Sequence, residues 1–280
     1  MFPPVDPIIF SIGPFAFRWY GMLMLAGVLT ASIVASREVA RRGEDPDNLW
    51  DMLLWILIPG FIGARLYYVF VQSPRDASGL GYFLQNPGEI LKVWSGGIHI
   101  FGGFIAGGLA LWIFTRLRHL NPLPYLDGIA LGLPLGQAIA RWGNFINQEL
   151  YGPPTNLPWG LRIDMAHRLA PYNNLGAYPD SVRFHPLFLY ESLWNFIGFF
   201  LIFWLSRRFQ NNLKSGDIAL LYLIWYPLGR FFIEFLRTDS WFFPGTAFNV
   251  VHMLSAISIL MAVVGLYLRH RKLPAKRQNT

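Results

Sequence analysis

Apolar residues gather along this chain in long runs rather than in alternation. Seven stretches of about 20 residues lie roughly at 15–36, 49–71, 96–115, 125–147, 187–206, 217–236 and 248–268. A helix needs about 20 residues to cross about 30 Å of hydrocarbon, so each run is predicted to be a transmembrane helix. The alternating pattern of a transmembrane β-barrel is missing, and so is the internal repeat that builds many transporters. The expectation is an all-α integral membrane protein of about seven transmembrane helices, forming a single polytopic domain over 1–280.

The polar stretches between the runs predict its orientation. Arg37, Arg41, Arg42, Arg116, Arg118, Arg207, Arg208, Lys214, Arg269, Arg271, Lys272, Lys276 and Arg277 fall on one side. Arg75, Lys92, Arg162, Arg168, Arg183 and Arg237 fall on the other, and Arg18, Arg65, Arg141 and Arg230 lie in or at the edge of apolar runs. This bias puts the C-terminus in the cytoplasm and, with seven crossings, the N-terminus outside. Residues 148–186, between the fourth and fifth helices, then form an irregular periplasmic cap rich in proline (Pro153, Pro154, Pro158, Pro171, Pro179). A second external piece, 72–94, leads into Trp94-Ser95-Gly96-Gly97.

Composition agrees. Charged residues make up 14% of the chain, against about 25% in a soluble domain, and mean hydropathy is +0.36. The net charge of +7 reads as an orientation signal, so no nucleic-acid partner is expected. There are no cysteines, which excludes disulfides, thiolate metal sites and a cysteine nucleophile of the chain's own. Met1 to Gly13 lacks the basic start of a cleavable signal peptide. Phosphate loops, zinc-protease motifs and nucleophile elbows are absent, and acidic and histidine residues do not cluster at ligand spacing. Neither a metal nor a cofactor is expected.

A charge at membrane depth costs from about 3 to well over 10 kcal/mol, which makes such residues functional candidates. The densest group is Arg141-Trp142-Gly143-Asn144-Phe145-Ile146-Asn147-Gln148-Glu149-Leu150-Tyr151-Gly152. On a helix Arg141, Asn144 and Gln148 share a face. Gly128, Gly132, Gly136 and Ala140 make a small-residue strip on the same run, suited to close helix packing or to a lipid. Arg230, Glu234 and Arg237 repeat the theme at i, i+4 and i+7. Arg230 follows Pro227 and Gly229, which are expected to open the helix ladder. Arginines cannot deprotonate, so Arg141 and Arg230 suit a phosphate, although Arg141 also fits a snorkelling residue and Glu234 a structural partner. Arg65 is a third candidate, with interface anchoring as its alternative. His99 and His185 are the available bases; His185 precedes Pro186 and also fits a helix cap. Asp127 and Asp217 read as helix N-terminal residues.

Arg141 to Gly152 resembles the signature of the prolipoprotein diacylglyceryl transferases, with Ala140 in place of a leading glycine. Asp6-Pro7 with Phe10 to Pro14, Arg18-Trp19-Tyr20-Gly21, Trp94 to Gly103, His185-Pro186 with Leu189-Tyr190-Glu191, and Gly229-Arg230 with Glu234-Phe235 and Arg237 resemble further family motifs, in order. The resemblance implies a bacterial inner-membrane enzyme that moves the diacylglyceryl group of phosphatidylglycerol onto the lipobox cysteine of a preprolipoprotein signal peptide, releasing glycerol phosphate. It implies that Arg141 and Arg230 hold the phosphate, and that Asn144, Glu149 and Gly152 shape the headgroup pocket. Tyr20 orients the lipid on this reading, Glu234 and Arg237 join the binding site, and His99 is the candidate base. Two further places depart from the family pattern. Phe101 stands where many members have a histidine, with His99 two residues earlier, so water, Glu149 and the phosphate remain alternative proton acceptors. Leu187-Phe188 replaces a polar pair. The rival to a transferase is a lipid-binding membrane protein or transporter without chemistry.

Overall fold

In a bilayer every backbone N–H and C=O must find its partner inside the protein, so long apolar runs fold as helices. A computed structural model describes residues 1–2, 6–13, 15–72, 79–93, 96–243 and 245–271. Pro14, Arg75, Trp94, Ser95, Lys272, Lys276 and Arg277, all named above, lie outside the described residues. A hairpin of β1 (Ile8–Ile12) and β2 (Phe15–Arg18) opens the chain. The helices α1 (Trp19–Arg41), α2 (Pro46–Tyr67), α3 (Gly79–Gln85), α4 (Ile100–Leu117), α5 (Pro122–Ile146), α6 (Leu187–Arg208), α7 (Asp217–Glu234) and α8 (Val250–His270) follow.

The protein is mostly helical, as predicted. Among the described residues five helical spans are long and apolar enough to cross a membrane: Trp19–Arg41, Pro46–Val71, Ile100–Leu117, Leu187–Arg208 and Val250–His270. The other two long helices, α5 and α7, carry Asp127, Gln137 and Arg141, and Asp217, Arg230 and Glu234, within their runs. The antiparallel hairpin was not expected. It pairs Ile8 with Arg18 and Ser11 with Ala16, and stacks Phe10 on Phe17 at 4.5 Å.

By internal packing the chain divides into two compact units, Val39–Tyr125 and Met1–Glu38 with Leu126–Thr280. In the first, α2 lies against α4 at glycine. A Cβ on Gly63 would stand 2.7 Å from the Gly102 carbonyl oxygen, so only small residues permit this approach. Arg65 is buried, and Glu89, Ile90, Lys92, Gly96 and Gly97 each accept from its guanidinium through a backbone carbonyl. Gly96 and Gly97 take φ of +92° and +74° to present those carbonyls, a region that favours glycine. Arg65 thus orders the loop ahead of α4.

In the second unit Gly136 of α5 meets Gly27 of α1, where an added Cβ would stand 2.6 Å from a backbone oxygen. Helix packing therefore occupies this part of the small-residue strip. Trp194 of α6 and Trp225 of α7 stack at 4.4 Å, and each indole N–H donates to the other's backbone carbonyl at 3.1 Å. Gly198 and Gly229 make room for these rings. Pro227 opens one rung of the α7 ladder, as the sequence suggested, while the helix itself runs unbroken through it. Proline frees the carbonyl four residues back, here that of Leu223, and Ser258 of α8 donates its hydroxyl to it at 3.1 Å. Asp127 is not an N-terminal residue of its own helix: its carboxylate accepts from the N–H groups of Gly216 and Ala219 and so caps α7.

Between α5 and α6 the chain is irregular, as expected, with one short 3₁₀ turn at Met165–His167 and bridges from Pro154 and Leu161 to Phe184. The cap packs on the ends of α5 and α6 through a shared core of Phe145, Tyr151, Leu161, Ile163, Phe184 and Phe188.

Candidate active site

The end of α5, the start of α6, the end of α7 and the start of α8 meet in the second unit, and each contributes polar groups. Arg141 and Asn144 are one turn apart on α5, and Arg141 Nη1 donates to Asn144 Oδ1 at 3.3 Å. The helix ends at Ile146, and Gln148 and Leu150 take φ of +53° and +55°. That turn directs the Glu149 carboxylate back to Asn144, whose Nδ2 donates to it at 2.7 Å. Gln148 therefore does not share the Arg141 face. It leaves the helix and exchanges two 2.8 Å hydrogen bonds with Asp164 of the cap.

Arg230 extends from α7 between two carboxylates, 2.9 Å from Glu191 Oε1 and 3.1 Å from Glu234 Oε2. Arg141 Nη2 reaches the other oxygen of Glu191 at 2.5 Å. That contact is charge against charge rather than an aligned hydrogen bond, since Glu191 Oε2 accepts none. Arg237, just past α7, lies 3.9 Å from Glu191 and holds Asp239 through two bonds of 2.9 and 2.6 Å. Burial works against the Arg237 charge, but Asp239 and then Glu191 and Glu234 outweigh it and raise its pKa. Glu234 Oε1 accepts from Asn249 Nδ2 at 3.1 Å, and Asn249 Oδ1 caps α8 through the N–H groups of Val251 and His252.

Three arginines from two stretches of chain thus converge on one buried carboxylate. The Glu191 and Glu234 side chains are 3% and 1% exposed, while Arg141, Arg230 and Arg237 keep 22%, 15% and 13%. The cations thus keep more exposure than the carboxylates that pair with them. Each guanidinium has five donors in a fixed fork, so an incoming oxyanion meets oriented N–H groups whose charge is already supported. That arrangement suits a phosphate better than a carbonyl or a neutral headgroup.

Tyr20 joins the site from α1. It lies across Gly143, where a Cβ would stand 2.7 Å from Tyr20 Cδ2, and it feels the charges of Glu149 and Arg141. Gly152 has a packing role: a side chain there would meet His185 Cβ and the Leu236 carbonyl oxygen, each at 2.9 Å. His185 Nδ1 is 3.1 Å from the Tyr190 hydroxyl, which accepts from the Trp159 indole at 3.1 Å. His99 belongs to the other unit. There it caps α4, its Nδ1 accepting from the Phe101 N–H at 3.4 Å, and it stacks on Tyr67 at 4.9 Å.

Sequence reasoning assigned no role to Glu191, the hub of the cluster, or to Asn249 and Asp239. For Glu191 the signal was present: a carboxylate inside an apolar helix needs a buried partner. Asn249 carried only the ordinary mark of an N-cap.

The family described as prolipoprotein diacylglyceryl transferase matches the chain over residues 7–269. Among curated proteins, the phosphatidylglycerol–prolipoprotein diacylglyceryl transferase of Chloroflexus aggregans is 40% identical over 97% of this chain and 92% of its own length. The protein of that name from Lactobacillus johnsonii is 42% identical over 96% of this chain and 91% of its own. That from Staphylococcus xylosus is 39% identical, covering 98% of this chain and 92% of its own.

Proposed function

Because the chain belongs to the prolipoprotein diacylglyceryl transferase family, we propose that it transfers the diacylglyceryl group of phosphatidylglycerol to the lipobox cysteine of a preprolipoprotein, with glycerol phosphate leaving. The observation that carries this reading is the convergence of Arg141, Arg230 and Arg237 on Glu191. In our account Arg141 and Arg230 clamp the lipid phosphate. As the cysteine sulfur attacks the glyceryl carbon and the C–O bond breaks, negative charge grows on the departing phosphate, where the guanidiniums stabilise it. Glu191 and Glu234 hold the arginines in place. Asn144 and Glu149 shape the headgroup side, Tyr20 orients the lipid across Gly143, and Gly152 keeps the cap close to α7. The acceptor supplies the thiol, in keeping with a chain that has no cysteine. A thiol of pKa about 8.5 needs only modest help to ionise, and His99 is one candidate to give it.

The proposal places the protein in the bacterial inner membrane as one polytopic domain with seven crossings. Its N-terminus lies outside, its C-terminus in the cytoplasm, and residues 148–186 and the arginine cluster at the periplasmic face. The distribution of lysine and arginine supports this orientation. Nucleic acid has no part in it. The test is glycerol phosphate release from phosphatidylglycerol by purified protein in detergent, with and without a lipobox peptide. Peptide-dependent release is expected. Folded protein that retains lipid but releases nothing is a binding protein or transporter, and the proposal then fails.

A further inference from the structure

A cavity of about 770 Å³ opens beside the arginine cluster, and Glu234, Arg237, Asn249, Phe235, Phe248 and His252 are among its lining residues. Two of its lining residues belong to the charged cluster, Arg237 and Glu234, and Glu234 holds Arg230 of the proposed phosphate clamp, so a group bound in the cavity adjoins that site. His252 sits in the first turn of α8. Asn249 fixes it there, accepting from the His252 N–H at 3.1 Å while donating to Glu234 at 3.1 Å. The imidazole packs between Phe231 and Phe235, with centroids at 4.7 and 4.4 Å.

The ring's tautomer follows from its partner. His252 Nε2 lies 3.0 Å from the Phe231 carbonyl oxygen, one of the last carbonyls of α7, which lack helical donors. A carbonyl only accepts, so Nε2 carries a hydrogen, and in the neutral form of the ring the lone pair is then on Nδ1. Nδ1 has no hydrogen-bond partner among the described residues. A histidine that only capped α7 would be satisfied by this bond. Here the same bond also sets the tautomer that makes the other nitrogen a base.

We propose that His252 is the catalytic base of the transfer, taking the proton of the acceptor thiol within this cavity. The inference rests on the transferase reading given above. The thiol proton moves to His252 Nδ1, the cysteine sulfur forms its bond to the glyceryl carbon, and the carbon–oxygen bond to phosphate breaks. The electron pair leaves with glycerol phosphate, and the imidazolium then returns its proton to water.

The test uses the full chain in detergent with phosphatidylglycerol and two lipobox peptides, one with cysteine and one with selenocysteine. A selenol is already ionised at neutral pH and needs no base. The readout is the ratio of kcat with the cysteine peptide to kcat with the selenocysteine peptide, from which the folded fraction cancels. His252→Gln keeps a donor for the Phe231 carbonyl and removes the base, so the ratio should fall roughly 10²–10⁴-fold, the usual contribution of general-base catalysis. His252→Ala gives the same reading if glutamine is not accommodated. An unchanged ratio in both variants overturns the proposal. So does a ratio that falls for His99→Asn, which preserves the α4 cap, and not for His252→Gln. No transfer by the wild type refutes the transferase reading, and this inference with it, before any variant is compared.

Discussion

Glu191→Gln is the substitution with the most to say about how the site is held. Glutamine keeps the shape and removes the charge that two guanidiniums approach at 2.5 and 2.9 Å and a third at 3.9 Å. A unit pair at 4 Å is worth about 4 kcal/mol at an effective dielectric of about 20, before desolvation is subtracted. Removing one member of a buried pair typically costs about 3–5 kcal/mol. Glutamine can still accept from Arg230, so the lower end, about 3 kcal/mol, is the expectation here. For a chain of this size that is a fall in Tm of roughly 6–12 °C. Arg230 keeps Glu234 and Arg237 keeps Asp239, but the charge that draws all three arginines together is gone, so the loss extends to turnover. A fall in kcat/KM of roughly 10²-fold, about 2.7 kcal/mol of transition-state stabilisation, is expected. Thermal unfolding in detergent and peptide-dependent glycerol phosphate release measure the two effects on one preparation. Glu191→Asp keeps the charge on a shorter arm and should fall between wild type and Glu191→Gln. A Tm and a turnover both equal to wild type for Glu191→Gln would mean that the arginines are positioned by something else.

Three further outcomes follow from the packing. Ser258→Ala leaves the Leu223 carbonyl, freed by Pro227, without its donor; a loss of about 1–3 kcal/mol in stability is expected, with turnover per folded molecule unchanged. Arg65→Met removes the cation that five backbone carbonyls share, and residues 89–93, 96 and 97 should gain hydrogen exchange and protease sensitivity while the arginine cluster keeps its affinity for phosphatidylglycerol. Gly143→Ala puts a methyl group where Tyr20 lies, and its effect should appear in KM for the lipid more than in the stability of the chain.

The helices were legible because hydrocarbon imposes one rule on every residue of a span, and a run of about 20 apolar residues satisfies it in one way. Where the chain leaves that rule, the reading lost precision. The third span was expected from residue 96, yet α4 begins at Ile100 because Gly96 and Gly97 turn with positive φ and His99 caps the helix. Helical spacing put Gln148 beside Arg141, but the left-handed turn at Gln148 carries it to Asp164, a partner 16 residues away. Pro227 and Gly229 read as an opening of the helix ladder because proline and glycine weaken a helix locally. The repairs, Ser258 on the freed carbonyl and Trp194 over the glycine, come from other helices. In the site, the charged members stood out from the apolar runs, and Arg141, Arg230, Glu234 and Arg237 do lie together. The hub was harder to see, since one carboxylate serving three arginines is a property of the assembled helices and of no single stretch.

The central claim is that Arg141 and Arg230 together bind the lipid phosphate. The most direct measurement compares phosphatidylglycerol binding with diacylglycerol binding in the wild type and in the Arg141→Ala, Arg230→Ala double variant, each verified as folded by its thermal transition. The wild type should prefer the phosphate-bearing lipid, and the double variant should bind both lipids alike and release no glycerol phosphate. A double variant that keeps the wild-type preference and turnover would contradict the account.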